Sequence, residues 1–139
     1  MKIVKCSTED ISSLALLNKH LIEDEGSDNS MNVEELAARM RGFLNSDYNA
    51  YYIMEDETTI GYALIKHTST PLYLRQFYID RDYRRKHYGK QAFYMLLDYL
   101  NTSEIDVDVL PDNETGLKFW KSLGLKAKYI SMSYKKDRS

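Results

Sequence analysis

The 139-residue sequence predicts an α/β domain with a mixed sheet that contains one parallel strand pair. First, Leu72 to Ile79 is an aromatic and apolar run of strand length, in which Leu72, Leu74 and Tyr78 alternate with Tyr73, Phe77 and Ile79. Second, a basic loop separates that run from Ala92, Phe93, Leu96, Leu97 and Leu100, whose three- and four-residue steps line one face of a helix beginning near Gly89. Third, Ile105, Val107 and Val109 then alternate with Asp106 and Asp108. A strand reached through a helix lies parallel to the first, by a right-handed crossover, and the C-terminal ends of both strands flank the helix start.

The other elements follow in order. Lys2 to Lys5 forms a short strand, and Ser7 with Asp10 resembles a capping box opening a helix whose apolar face is Ile11, Leu14, Ala15, Leu17 and Leu21. That helix fades into an acidic loop from Glu23 to Asn29. Asn32 with Glu35 makes a second capping box, backed by Val33, Leu36, Ala37, Met40 and Phe43. Tyr51 to Met54 and Thr59 to Lys66 read as two strands joined through the polar residues Glu55 to Thr58, so the first half ends as an antiparallel meander. Near the C-terminus, Pro111, Asp112 and Asn113 are turn and cap. Leu117, Trp120 and Leu123 form a short helical stripe ended by Gly124, and Tyr129 to Lys135 alternates as a sixth, closing strand.

Length and composition narrow the function. A chain of this size is one domain, residues 1–139, with a single substantial core. Its 19 Lys and Arg against 21 Asp and Glu give a formal charge of −2, which provides no general attraction to nucleic acid or acidic membrane. Cys6 is the only cysteine, so neither an internal disulfide nor a cysteine-rich zinc site can form, and no metal is expected. With no apolar leader core and no membrane-length run, a cytoplasmic protein is expected.

The positive charge is concentrated instead in Arg84, Arg85, Lys86, His87 and Lys90, around Gly89. The first amides of a helix lack intrahelical acceptors and the positive end of its dipole lies there, so basic side chains at that end suit an anionic ligand, a phosphate first of all. The same residues also read as a solvated basic turn. They form neither a Gly-x-x-x-x-Gly-Lys-Ser/Thr loop nor a dinucleotide fingerprint.

Arg84-Arg85-Lys86-His87-Tyr88-Gly89 resembles the Arg/Gln-x-x-Gly-x-Gly/Ala loop of the GNAT superfamily of acetyl-CoA-dependent N-acetyltransferases. Asn113, followed by Phe119-Trp120 and Leu123-Gly124-Leu125, resembles that family's second motif. The element order β1-α1-α2-β2-β3-β4-α3-β5-α4-β6, with a splayed parallel β4/β5 pair, is the family's layout. The resemblance implies that the backbone of Phe77, Tyr78 and Ile79 pairs with the pantetheine arm of the cofactor. It also implies that the amides of Arg85, Lys86, His87, Tyr88, Gly89 and Lys90 hold the pyrophosphate and that Asn113 lies near the arm from the other side, with Arg84 and Trp120 as further cofactor-binding residues. An N–H near Tyr78 would stabilise the oxyanion, and Asp108 stands where some members carry a catalytic glutamate. Asp106 and Asp108 read equally as the solvated face of a strand. His87 replaces a common glycine, and Trp120 replaces the tyrosine that protonates the departing thiolate in many members; an indole N–H donates a hydrogen bond but is no acid at neutral pH.

The function so implied is transfer of an acetyl group from acetyl-CoA to a primary amine of a small molecule or peptide, by direct attack in a ternary complex, by a monomer or homodimer. Asp24 and Glu25, in the acidic loop, would meet a cationic acceptor. The alternative is a non-catalytic acyl-CoA-binding sensor or subunit, which the missing tyrosine permits.

Overall fold

The computed structural model describes residues 1–137; the Arg85 side chain, expected at the pyrophosphate, lies outside what is described. Two compact units result, residues 1–108 and 109–137 of the described chain.

The first unit is a five-stranded sheet in the order β1 (Lys2–Lys5), β2 (Tyr48–Glu55), β3 (Thr58–Lys66), β4 (Leu72–Ile79), β5 (Ile105–Val107). The first four strands are antiparallel to their neighbours, and β4/β5 is parallel as expected. Helices α1 (Ile11–Glu25) and α2 (Val33–Leu44) pack together over one face, where Ile11, Leu14 and Met40 meet Ala50, Tyr62, Leu64 and Tyr78. Helix α3 (Tyr88–Leu100) is the crossover between β4 and β5, and it buries Ala92, Phe93 and Leu96.

Local chemistry accounts for the helix ends. The Asn32 side chain accepts from the Glu35 amide while Glu35 returns a bond to the Asn32 amide, a complete capping box. The Ser7/Asp10 box opens a short 3-10 turn, Thr8–Asp10, that runs into α1. Helix α1 stops at Gly26, which takes the left-handed φ of +62°. Glu23, Asp24 and Glu25 therefore belong to the last turn of α1 rather than to a loop, because the chain has its first helix-breaking residue only at Gly26.

The second unit holds α4 (Glu114–Ser122). The Asn113 Oδ1 accepts from the Gly116 amide at 3.0 Å, and Gly124 follows the helix with φ +96°. The expected sixth strand is not formed: residues 125–137 carry no regular structure, and Tyr129, Ile130, Met132 and Tyr134 are 72–88% exposed. Alternation is necessary for a strand, but a strand also needs a backbone ladder, and the described sheet has five strands.

Candidate active site

Strand β4 leaves its parallel neighbour early. The β4/β5 ladder pairs only Leu72, Tyr73 and Leu74 with Ile105, Asp106 and Val107, while β4 stays paired with β3 as far as Ile79. From Arg75 onward one edge of β4 is thus released from the ladder, and a peptide-like ligand can add to such an edge. The register with β3 also shifts by one residue, since Leu64 faces Gln76 but Ile65 faces Leu74, so Arg75 is the extra residue of a bulge. The bulge turns Gln76 and Tyr78 to the face covered by α1 and α2. There the Tyr62 hydroxyl donates to Gln76 Oε1 at 2.7 Å, and the Tyr62 and Tyr78 rings lie 6.3 Å apart.

Beyond Ile79 the chain enters a 3-10 turn, Arg81–Lys86, capped by the Asp80 side chain on the Asp82 amide. His87 then takes a φ of +63° and α3 begins at Tyr88, with Gly89 buried in its first turn. Glycine adopts such a left-handed geometry freely, whereas histidine holds it at a cost of about 1–2 kcal/mol. The amides of Tyr88, Gly89 and Lys90 open the helix and have no intrahelical acceptor. Lys86 and Lys90 are exposed beside them.

Asp24 is engaged by two arginines. Its Oδ1 accepts from Arg81 Nη2 at 2.7 Å and its Oδ2 from Arg84 Nη2, while Arg84 Nε donates to the Ile79 carbonyl at 2.7 Å. Burial alone would raise this carboxyl, but the two guanidiniums outweigh it and hold it below its ordinary value. They also offset an acid at a helix C-terminus, where the dipole disfavours it. Glu25, one residue on, is drawn the other way: desolvation of its carboxyl, then the Asp24 charge, raises it above the usual value. Its charge reaches the Tyr62 phenol, which burial pushes well up.

Asp108 accepts from the Tyr73 hydroxyl at 2.8 Å. Burial first, then this bond, raises the Tyr73 phenol to about 12. Tyr78, raised by burial and then by Asp80 and Asp24, lies under Arg84, whose guanidinium carbon is 5.6 Å from the ring centroid. Of the expected residues, the first unit thus brings Asp24, Tyr78, Ile79 and Arg84 together, with Glu25 adjoining. Phe77 continues the released edge, and Asp108 lies at the strand ends where the ladder stops. Asn113 is the cap of α4, and Trp120 packs edge-on against Phe119 at 4.9 Å. Sequence reasoning missed Arg39, Tyr62, Arg75, Gln76 and Arg81. The adjacent polar pair Arg75-Gln76 inside an apolar strand is the one local sign of the bulge.

The shallow surface lined by Leu97, Asp98, Asn101, Thr102 and Ser103 lies at the far end of α3 from this constellation. Among the described residues no cluster of three His, Cys, Asp or Glu side chains is placed to hold a metal, and no helix is long and apolar enough to cross a membrane.

Residues 15–125 match the model of the acetyltransferase (GNAT) family. Among solved structures, the chain is similar to a possible acetyltransferase from Clostridium difficile 630, with a TM-score of 0.79 and 15% identity over 99% of this chain and 98% of that one. It is similar to a probable acetyltransferase at a TM-score of 0.71 and 20% identity, over 100% and 99% of the two chains. It is also similar to the aminoglycoside N-acetyltransferase AAC(6')-Iy in complex with CoA, at a TM-score of 0.73 and 18% identity over 97% and 93%. No curated protein matches it.

Proposed function

The chain belongs to the GNAT acetyltransferase family, and from that premise we propose that it transfers an acetyl group from acetyl-CoA to a primary amine by direct attack in a ternary complex. The observation that carries this reading is β4: released from β5 after Leu74, bulged at Arg75, and leading directly into a basic turn and the open first turn of α3. The pantetheine arm would add to the edge of β4 from Phe77 to Ile79, beyond the point where β5 ends its ladder. Its pyrophosphate would lie on the amides of Tyr88 to Lys90, with Lys86 and Lys90 beside it.

In the step itself the neutral amine nitrogen attacks the thioester carbonyl, a C–N bond forms, the C–S bond breaks, CoA leaves as thiolate, and the nitrogen gives up its extra proton to water, from which the thiolate can take one. An amide N–H near Tyr78 would receive the developing oxyanion. The amine must first lose a proton. Asp24 is paired with two arginines and Asp80 caps the turn, which leaves Asp108 and Glu25 as candidates; Glu25 is the better poised, because a raised carboxyl accepts a proton nearer neutral pH. Asp108, tied to Tyr73, would act through water. CoA thiolate is a tolerable leaving group, so no tyrosine acid is needed at Trp120.

Calorimetric titration of acetyl-CoA into wild type and into a Lys86→Glu/Lys90→Glu variant tests the cofactor site, followed by assay of free thiol with pooled primary amines. Binding abolished in the variant and amine-dependent thiol release support the proposal. Absence of binding to the folded wild type sinks it, and binding without release on a broad amine panel favours the non-catalytic sensor.

A further inference from the structure

We propose that the acceptor amine carries a carboxylate, which Arg39 of α2 and Arg75 of the β4 bulge grip together; this rests on the acetyltransferase reading above. Both guanidiniums lie against the ring of Phe43, with Arg39 Cζ 5.6 Å and Arg75 Cζ 4.9 Å from its centroid. Arg75 also lies 5.9 Å from the Tyr48 centroid and donates to the Tyr48 hydroxyl at 3.4 Å. Two cations are thus assembled on one aromatic ring, on the face of the sheet that holds Tyr62, Gln76 and Tyr78.

Neither makes an ion pair among the described residues, although the chain has more acids than bases. Arg81 and Arg84 share Asp24, whereas Arg39 finds only the neutral Oδ1 of Asn18, at 3.1 Å. Asp108, at the end of the neighbouring strand, meets Tyr73 rather than Arg75. Above all, Arg39 Nε is buried with no hydrogen-bond acceptor among the described residues. A buried donor on a cation is costly to leave unmet, and a planar carboxylate is the group that a guanidinium fork fits best. Burial, and then the charge of Arg75, lower the affinity of Arg39 for its own proton, as expected of two cations held together without an anion.

The placement suits a substrate that bridges two points. Arg75 stands three residues before Tyr78, about 10 Å along a strand at ~3.3 Å per residue. An amine presented near Tyr78 and Glu25 therefore leaves room for a short chain ending in a carboxylate at Arg75 and Arg39. The same cations would repel a polycationic acceptor. An aminoglycoside-like amine is disfavoured on that ground, even though several structural neighbours are aminoglycoside acetyltransferases.

The test uses the CoA-loaded protein and a series of ω-amino carboxylic acids of increasing length, each beside its carboxamide and its phosphonate analogue. Calorimetric binding is read for all of them and kcat/KM where turnover occurs, in wild type, Arg75→Gln, Arg75→Lys and Arg39→Gln. The carboxylate is expected to exceed its carboxamide by at least tenfold at one chain length. That ratio should fall toward one in Arg75→Gln and recover in part in Arg75→Lys. Arg75 is exposed, so this arm stands even if Arg39→Gln fails to fold. Equal values for carboxylate and carboxamide at every length, preference for the phosphonate, or a ratio untouched by Arg75→Gln would overturn the inference. Loss of acetyl-CoA binding itself, measured separately, would instead count against the acetyltransferase reading.

Discussion

Replacing Gly61 by alanine tests how β3 sets the position of β4. Gly61 is opposite Ile79 in the ladder, and a Cβ built on it would lie 1.9 Å from the Tyr78 carbonyl oxygen, 3.0 Å from its carbonyl carbon and 3.1 Å from the Ile79 Cα. All three are backbone atoms, so no side chain can swing away. The strands must part by at least about 1 Å, against a normal spacing of ~4.8 Å. The neighbouring bond from the Asp80 amide to the Ile60 carbonyl, 2.6 Å long, lies within the strained region. Overpacking by one methyl costs about 1–3 kcal/mol, and a weakened ladder bond adds about 1. For a chain of this length that lowers the thermal midpoint by roughly 5–15 °C. Because Tyr78 and Ile79 would present their amides to the cofactor, acetyl-CoA affinity should fall with it. Calorimetric melting and acetyl-CoA titration read both effects. Gly42→Ala is the control, since a Cβ there meets nothing within 4 Å in the interior of α2, and it should stabilise by about 0.5–1 kcal/mol. A Gly61→Ala midpoint within a degree of wild type would refute the reasoning.

Three more outcomes are expected. His87→Gly removes the left-handed strain but adds unfolded-state freedom, so thermal melting should show a gain of about 0.5–1 kcal/mol. The Asp24 carboxyl is depressed below 3.8 in the folded state, so its contribution is full above that value and is lost as pH falls through the folded value. Asp24→Asn should therefore lower the midpoint at pH 7 and flatten its decline on the acid side, seen by melting between pH 7 and 3. If Glu25 removes the acceptor proton, Glu25→Gln should reduce kcat by about 10²–10⁴-fold and abolish the acidic limb of the pH–rate profile, with Asp108→Asn milder; a profile unchanged in Glu25→Gln would reassign the base.

What the sequence reveals is what short-range chemistry encodes. The Asn32/Glu35 box, the stripe of α3 and the helix-ending Gly124 each need only neighbours three or four residues away, the parallel pairing of β4 with β5 follows from the strand–helix–strand order, and each is where the pattern puts it. The bulge at Arg75 is harder, because one extra residue reverses which face the rest of β4 presents, and strict alternation hides that reversal. The pairing of Asp24 with Arg81 and Arg84 spans 57 and 60 residues and has no local signature. Arg39 and Arg75 read as ordinary surface charges until the fold lays both on Phe43. The closing strand is the opposite case: the pattern at Tyr129 to Tyr134 is present, but among the described residues it carries no strand and its large side chains are exposed.

These long-range contacts bear on how the two halves of a reaction would meet. The end of α1 carries adjacent acids in opposite electrostatic settings. Asp24 pairs with the turn before α3, joining α1 to the segment proposed to hold the pyrophosphate. Glu25 remains available because its neighbour has taken the arginines, and the Asp24 charge beside it helps to raise its carboxyl. Were Arg84 to turn from Asp24 toward an incoming phosphate, Asp24 would lose a partner that now screens it, and Glu25 would feel more of its negative charge. Cofactor binding would then raise the proton affinity of Glu25 further, by ordinary electrostatic linkage. An acid pair at one helix end would thereby couple occupancy of the proposed cofactor site to the readiness of the proposed base, with no movement larger than one guanidinium.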